Sequence, residues 1–297
     1  MSIQFCVLGS GSEGNAALLM TPAVHVLIDA GFFPDELSAR MDGTGATWQS
    51  LDAVILTHTH GDHIKKKCLT FCIEHDVRFI CHEHHAEQLS GGRYFKKMKD
   101  RGLLRTYDGK SPFSVSHLAE GPQENVDGTG ALRFHPVSLS HDCKPTFGFR
   151  IEAPGTVEDS ATATTVERGF KIGYFADLGH CCDGVTREMA NVDLLALEFN
   201  HDEEMERKSG RHPRLIQRVL GDEGHLSNSQ AAEVFRRVLE SGTNGGPKFL
   251  IQMHLSKDCN RADLAYKAAQ EVVLLTGAQT RVFSTRQDRR GSVHCLP

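Results

Sequence analysis

No apolar run in this chain of 297 residues approaches the roughly 20 needed to span a bilayer, which excludes a transmembrane helix and predicts no membrane partner. Residues 1–9 lack a basic leader region and reach Gly9 before a signal-peptide core can form, so the expected location is cytoplasmic. Paired C-x-x-C motifs are absent too. The nine cysteines, an odd number, fit reduced thiols better than a disulfide framework, and Cys68 and Cys72 read as core packing rather than a thiolate metal site. With no G-x-S-x-G elbow, neither a serine nor Cys181-Cys182 is read as a nucleophile. Excess positive charge is also missing: the formal net charge is −5, so any capture of a polyanion must be local.

What is present suffices for one continuous core. Hydrophobic residues make up 39% and charged residues 24%, the balance of a globular protein, and a single domain over 1–297 is expected. Short apolar runs predict strands over 3–8, 16–20, 24–28, 53–57, 77–81, 132–139, 147–152, 170–175, 194–198, 249–254 and 281–284. Helices are predicted over 34–41 and 64–74, and over 227–239, where Ser227 and Gln230 have capping-box spacing. Residues 154–168, rich in Thr, Ser and Glu with little periodicity, read as a mobile surface insertion. Sheets interspersed with helices predict two sheets packed face to face with helices outside.

The densest chemistry lies in Thr57-His58-Thr59-His60-Gly61-Asp62-His63, directly after the apolar run 53–56. Alternate residues of an extended chain share a face, so His58 and His60 can meet one cation, while a turn at Gly61 carries Asp62 and His63 to a second. A dinuclear site needs further ligands. His141, Asp177 and His254 each follow an apolar strand at the point where strand becomes loop. Asp29 ends another such strand; it either orients a ligating histidine or caps its own turn. His25, His117 and His294 read as surface histidines.

With these pieces in place, the chain resembles the metallo-β-lactamase-fold superfamily, whose signature is H-x-H-x-D-H followed by a later His, Asp and His. The stretches 8–15, 177–180, 224–228 and 254–257 look more specifically like its YycJ (WalJ) branch, bacterial cytosolic proteins regarded as 5′ to 3′ DNA exonucleases. The resemblance implies an α/β (α+β) fold, a four-layer αββα sandwich. It also implies that His58, His60 and His141 bind one metal, that Asp62, His63 and His254 bind the other, and that Asp177 bridges them.

Imidazole and carboxylate ligands without thiolate suit two divalent ions, zinc first, with manganese or iron as alternatives. Such a pair activates a hydroxide and neutralises attacking and leaving oxygens at phosphorus, with Asp62 and Asp177 part of the catalytic set. Leaving-group protonation then falls to a histidine. His225, just before a capped helix, fits that role; the other reading is a helix-entry histidine packed on Leu226. Glu198, Asn200 and His201 cluster after a strand and are expected to support it. Ser227 and Asn228 open a helix whose free N–H groups suit a phosphate.

Five Arg or Lys between residues 207 and 218, among them Arg211, Arg214 and Arg218, form the strongest polyanion signal. Lys65-Lys66-Lys67 is a weaker one. Aromatic residues are interleaved with neither run, so no base-stacking platform is visible. The expected function is phosphodiester hydrolysis of nucleic acid, DNA above all; the alternative is a thioester or lactone hydrolase on the same two metals. A non-catalytic metal-binding role is disfavoured by the completeness of the ligand set, and self-association is left open.

Overall fold

A computed structural model describes residues 3–117, 130–153, 156–159, 164–167 and 169–296. In chain order the strands are β1 (Ile3–Gly9), β2 (Ala16–Met20), β3 (His25–Ile28), β4 (Ala53–Ile55), β5 (Arg78–His82), β6 (Leu104–Tyr107), β7 (Phe113–Val115), β8 (Leu132–Leu139), β9 (Thr146–Ala153), β10 (Thr156–Asp159), β11 (Thr164–Glu167), β12 (Phe170–Phe175), β13 (Leu194–Glu198), β14 (Phe249–Met253), β15 (Arg281–Ser284) and β16 (His294–Leu296). The α-helices are α1 (Pro34–Met41), α2 (Cys68–Glu74), α3 (Glu83–Leu89), α4 (Arg93–Asp100), α5 (Asp183–Met189), α6 (Glu203–Arg207), α7 (Pro213–Leu220), α8 (Asn228–Ser241) and α9 (Ala262–Thr276).

Two mixed sheets of seven strands result, ordered β16-β1-β2-β3-β4-β5-β6 and β15-β14-β13-β12-β9-β8-β7. Strand periodicity makes the layers. On β1, Ile3, Phe5 and Val7 enter the core between the sheets, while Cys6 and Leu8 face the layer of α1, α2 and α4. On β13, Leu194 and Ala196 point inward, and Leu195 and Leu197 pack outward with residues of α5, α8 and α9. Strands apolar on both faces need cover on both, and the outcome is the expected αββα sandwich. Cys68 and Cys72 lie buried in the outer core. No helix among the described residues is long and apolar enough to cross a membrane.

Several boundaries differ from expectation, for local reasons. β4 stops at Ile55 because the Thr57 amide donates to the Asp29 carboxylate (2.9 Å) instead of continuing the sheet. The helix predicted from residue 64 starts at Cys68. The His63 carbonyl accepts from Ala30 N (2.8 Å), and Lys65 N donates to Ala30 O (2.8 Å), which ties this turn to the end of β3. His294 is buried, not a surface residue, and its ring packs 4.5 Å from that of Phe283. Within 154–168, β10 and β11 pair antiparallel; residues 154–155, 160–163 and 168 lie outside the described residues.

Candidate metal centre and active site

The C-terminal ends of β3, β4, β8, β12, β13 and β14 deliver Asp29, His58, His141, Asp177, Glu198 and His254 to one place. Asp29, Asp177 and His254 all have left-handed backbone, with φ of 61°, 55° and 56°, which swings each side chain sharply off its strand. Among the described residues, four groups have ligand atoms within 4.8 Å of one another: His58, His60 and His141; Asp62, His63 and His254; His58, His63 and Asp177; and Asp177, Glu198, His225 and His254. The structure thus brings together all seven residues read from sequence as ligands, and His225 with them.

Their outer partners fix how the imidazoles face. His63 Nδ1 donates to Asp29 Oδ2 (2.8 Å), leaving the Nε2 lone pair 2.7 Å from Asp177 Oδ2 and 3.5 Å from Asp62 Oδ2. Asp29 also accepts from the Thr57 hydroxyl, so it orients His63 and pins the strand end at once. His254 Nδ1 meets Glu198 Oε1 (3.0 Å), and its Nε2 lies 3.4 Å from Asp62 Oδ2. His141 Nδ1 faces the Gly224 carbonyl (3.1 Å), turning Nε2 toward His60 Nδ1 (3.3 Å). Gly224 is needed there: a Cβ would sit 2.2 Å from the Arg218 carbonyl.

Buried atoms lacking hydrogen-bond partners test the fit of a cation. Among the described residues the buried His58 Nε2 has none, and Asp177 Oδ2 faces the His63 Nε2 atom 2.7 Å away. Buried polar atoms are rarely left so, and a lone pair aimed at a carboxylate calls for a proton or a metal between them. Nitrogen and oxygen donors with no sulfur fit a divalent ion of the zinc, manganese or iron type.

Charge differs across the cluster. Burial holds His58 well below its ordinary pKa, with His63 adding to the effect, and burial beside His141 lowers His60. For His63 and His254 burial also opposes the charged form, but carboxylates overcome it. Asp177, Asp29 and Asp62 hold His63 well above its usual range, and Asp177, Asp62 and Glu198 lift His254 to about 10. Against its own burial, Glu198 is drawn down to about 2 by His225 and His254.

His225 Nδ1 lies 2.7 Å from Glu198 Oε1 and 3.4 Å from Asp177 Oδ1. Its side chain is 16% exposed, and its ring lies 5.1 Å from that of His141 and 5.0 Å from that of His254. The other oxygen of Glu198 accepts from the amides of Leu178 and Leu226, so the carboxylate is held from several sides. His201, expected nearby as support, is buried with neither ring nitrogen hydrogen-bonded, and interacts with Glu198 and His225 through charge alone.

The phosphate contacts read from sequence are placed differently. The Ser227 hydroxyl caps Gln230 N (3.2 Å) and bonds Glu203 (3.0 Å), while Asn228 and Asn260 exchange amide hydrogen bonds. Both side chains are buried, and Asn228 N is taken by the His201 carbonyl, so this helix start serves the fold instead of a ligand. The basic run is largely neutralised. Arg207 and Lys208 pair with Glu203 and Glu204, Arg211 with buried Glu206 (3.1 Å) and Asp258 (2.9 Å), and Arg218 with Asp142. Arg214 is exposed. Arg218 alone of these reaches the centre, since Asp142 lies 3.4 Å from His141 Nε2 and 3.6 Å from His60 Nε2.

Sequence reasoning missed Asn15. Its amide nitrogen lies 3.2 Å from Asp62 Oδ2 and 3.0 Å from His63 Nε2, and its oxygen accepts from Ser10 Oγ (2.8 Å), which accepts from His254 N (2.8 Å). The signal available was the Gly- and Ser-rich loop 9–15, unusually ordered in composition for a plain turn.

The profile of the beta-lactamase superfamily domain matches residues 25–254. The chain belongs to that superfamily. It is similar to exodeoxyribonuclease WalJ of Streptococcus pneumoniae, at 26% identity over 97% of this chain and 96% of the relative. Exodeoxyribonuclease YycJ of Bacillus anthracis is 25% identical over 92% of this chain and 90% of its own length. Among solved structures, zinc-bound PqqB from Methylobacterium extorquens superposes with a TM-score of 0.60 at 15% identity, covering 97% of this chain and 99% of that one. A diphosphatase of the PhnP family does so with 0.57 at 15%, covering 100% and 99%. These last two likenesses speak to the fold alone.

Proposed function

We propose that this chain is a cytoplasmic, metal-dependent phosphodiesterase that degrades DNA from an end in the 5′ to 3′ direction. The observation that carries the hydrolytic part is two donor sets joined through Asp177, with His225 beside them on a carboxylate anchor. The exodeoxyribonuclease names of relatives aligned over nearly the whole chain support the substrate.

His58, His60 and His141 would hold one ion, and Asp62, His63 and His254 the second, with Asp177 shared. Zinc is the first assignment. Bound there, the ions supply an activated water and neutralise charge on the oxygens of a displacement at phosphorus. The chain's own residues do the rest. Asp29 and Glu198 hold His63 and His254 in the orientation that turns Nε2 inward. Glu198 also accepts from His225 Nδ1–H, which orients the ring and leaves Nε2 to serve the departing oxygen.

The test is the purified protein with its metal content assayed, offered end-labelled single and double strands beside a generic thioester and lactone. Release of nucleotides from 5′ ends, abolished by a chelator and falling steeply with salt, supports this reading. Turnover of the neutral esters alone, indifferent to salt, overturns it in favour of the small-molecule alternative.

A further inference from the structure

Phe32 and Phe33, between β3 and α1, have opposite fates. Phe32 is buried against Gly9 and Gly14, where an added Cβ would come within 2.7 and 2.5 Å of its ring, and the Arg40 guanidinium lies 3.9 Å from its centroid. Phe33 is 57% exposed. Pro34 opens α1 and confines Phe33 to extended backbone, at φ −66° and ψ 152°. A large aromatic ring is therefore held in water on a backbone fixed from both sides, so little ordering is left to oppose a ligand.

Phe33 lines a cleft of about 600 Å³ whose wall includes neighbours of the metal-centre residues. Gly31 in its wall packs so tightly on the Asp62 carbonyl that a Cβ would sit 1.7 Å from it, and Leu255 and Lys257, also in the wall, follow His254 directly. The cleft is charged on both signs, but unevenly committed. Arg40 is paired with Glu36 (2.6 Å) and Arg286 with Asp288 (3.0 Å). Lys65 Nζ rests on the Gly61 carbonyl (2.6 Å), and Lys257 stands 4.0 Å from Glu13 with both side chains mostly in solvent. These two amines are held loosely, one by a backbone carbonyl and one by an exposed carboxylate, and can turn to a phosphate. An aromatic face beside loosely held cations, next to a hydrolytic centre, is the make-up of a single-strand subsite.

We propose that this cleft seats one unpaired nucleotide of the DNA strand, its base stacked on Phe33 and its phosphate met by Lys65 and Lys257; this rests on the DNA-cleaving reading above. The aromatic platform missing from the basic runs in sequence is thus supplied from another element.

The test uses the full chain with the metals it carries as purified, and a cleavage-resistant phosphorothioate oligonucleotide containing 2-aminopurine near its 5′ end. Binding is read by anisotropy and stacking by fluorescence quenching. Phe33→Ala should weaken binding about tenfold or more and lose the quenching, while Phe33→Trp keeps both. Leu274→Ala, on α9 and 78% exposed, controls for exposed apolar surface and should bind like the parent. Thermal melts confirm that each variant folds. Unchanged binding and quenching in Phe33→Ala, with the parent binding well, overturns the subsite and leaves the nuclease reading standing. A parent that neither binds nor cleaves DNA overturns both.

Discussion

The Nδ1 atoms of His63 and His254 each meet a buried carboxylate, Asp29 or Glu198, whereas His58 leans on the Thr57 hydroxyl, His141 on the Gly224 carbonyl, and His60 on His141. One half of the centre is rich in fixed negative charge. The other is a set of imidazoles in which burial lowers the pKa of His58 and His60, with His60 about a third exposed. Negative charge gives the first half its attraction for a cation, and it must also shed protons to accept one. The three-histidine half has less attraction and fewer protons to lose.

Asp177 is the residue that the proposed halves would share, so replacing it should produce the largest effect. Asp177→Asn is expected to lower metal content toward none and turnover by at least about 10³-fold, measured by elemental analysis and nuclease assay. His60→Ala should instead reduce metal content from about two equivalents to about one. Equal losses in the two variants would break the distinction between the halves. His225→Gln should keep both metals while kcat falls about 10²-fold or more; a retained rate would remove His225 from proton transfer.

Asp29→Asn tests the carboxylate half more gently. Its metal affinity should weaken about 10- to 100-fold, read by competition with a chromophoric chelator, with little change in the affinity of the three-histidine half. Acidity sharpens the same contrast in metal-free protein. The raised pKa of His254, about 10 against 6.5, stabilises the folded chain fully below about pH 6.5, and that contribution is lost as pH climbs toward 10. The depressed pKa values of His58 and His60 act in reverse, so stability is lost as pH falls below 6.5. Metal-free melting temperature should therefore peak near pH 6.5 and decline on both sides, while metal loading flattens the alkaline limb.

The smallest effect is expected in the basic run. Arg207→Ala and Lys208→Ala remove charges that α6 already balances and should change DNA affinity by less than about twofold. Arg214→Ala should cost more and reduce the salt slope by about one unit.

Sequence made the metal half-sites legible because His58, His60, Asp62 and His63 lie within six residues, where strand alternation and one glycine decide direction. His141, Asp177 and His254 were legible as polar residues ending apolar strands. Asn15 and Gly224 were not, since they act through an amide or a carbonyl brought close by loops far apart in the chain. The basic run was legible only in part, for a related reason. Its charges are visible in sequence, but Glu206, Asp258 and Asp142, which answer them, are assigned only by the fold. At Ser227 the capping signal was correct, and the donors of Asn228 and Gln230 are spent inside the fold.

Asp29, Asp177 and His254 adopt a conformation that side chains with a Cβ avoid, at a cost on the order of 1 kcal/mol or more each. Glycine at any of the three would relieve that cost and disable the centre. Selection for heat tolerance alone has little to gain at these corners, because glycine there would also remove the buried contacts that Asp29, Asp177 and His254 make.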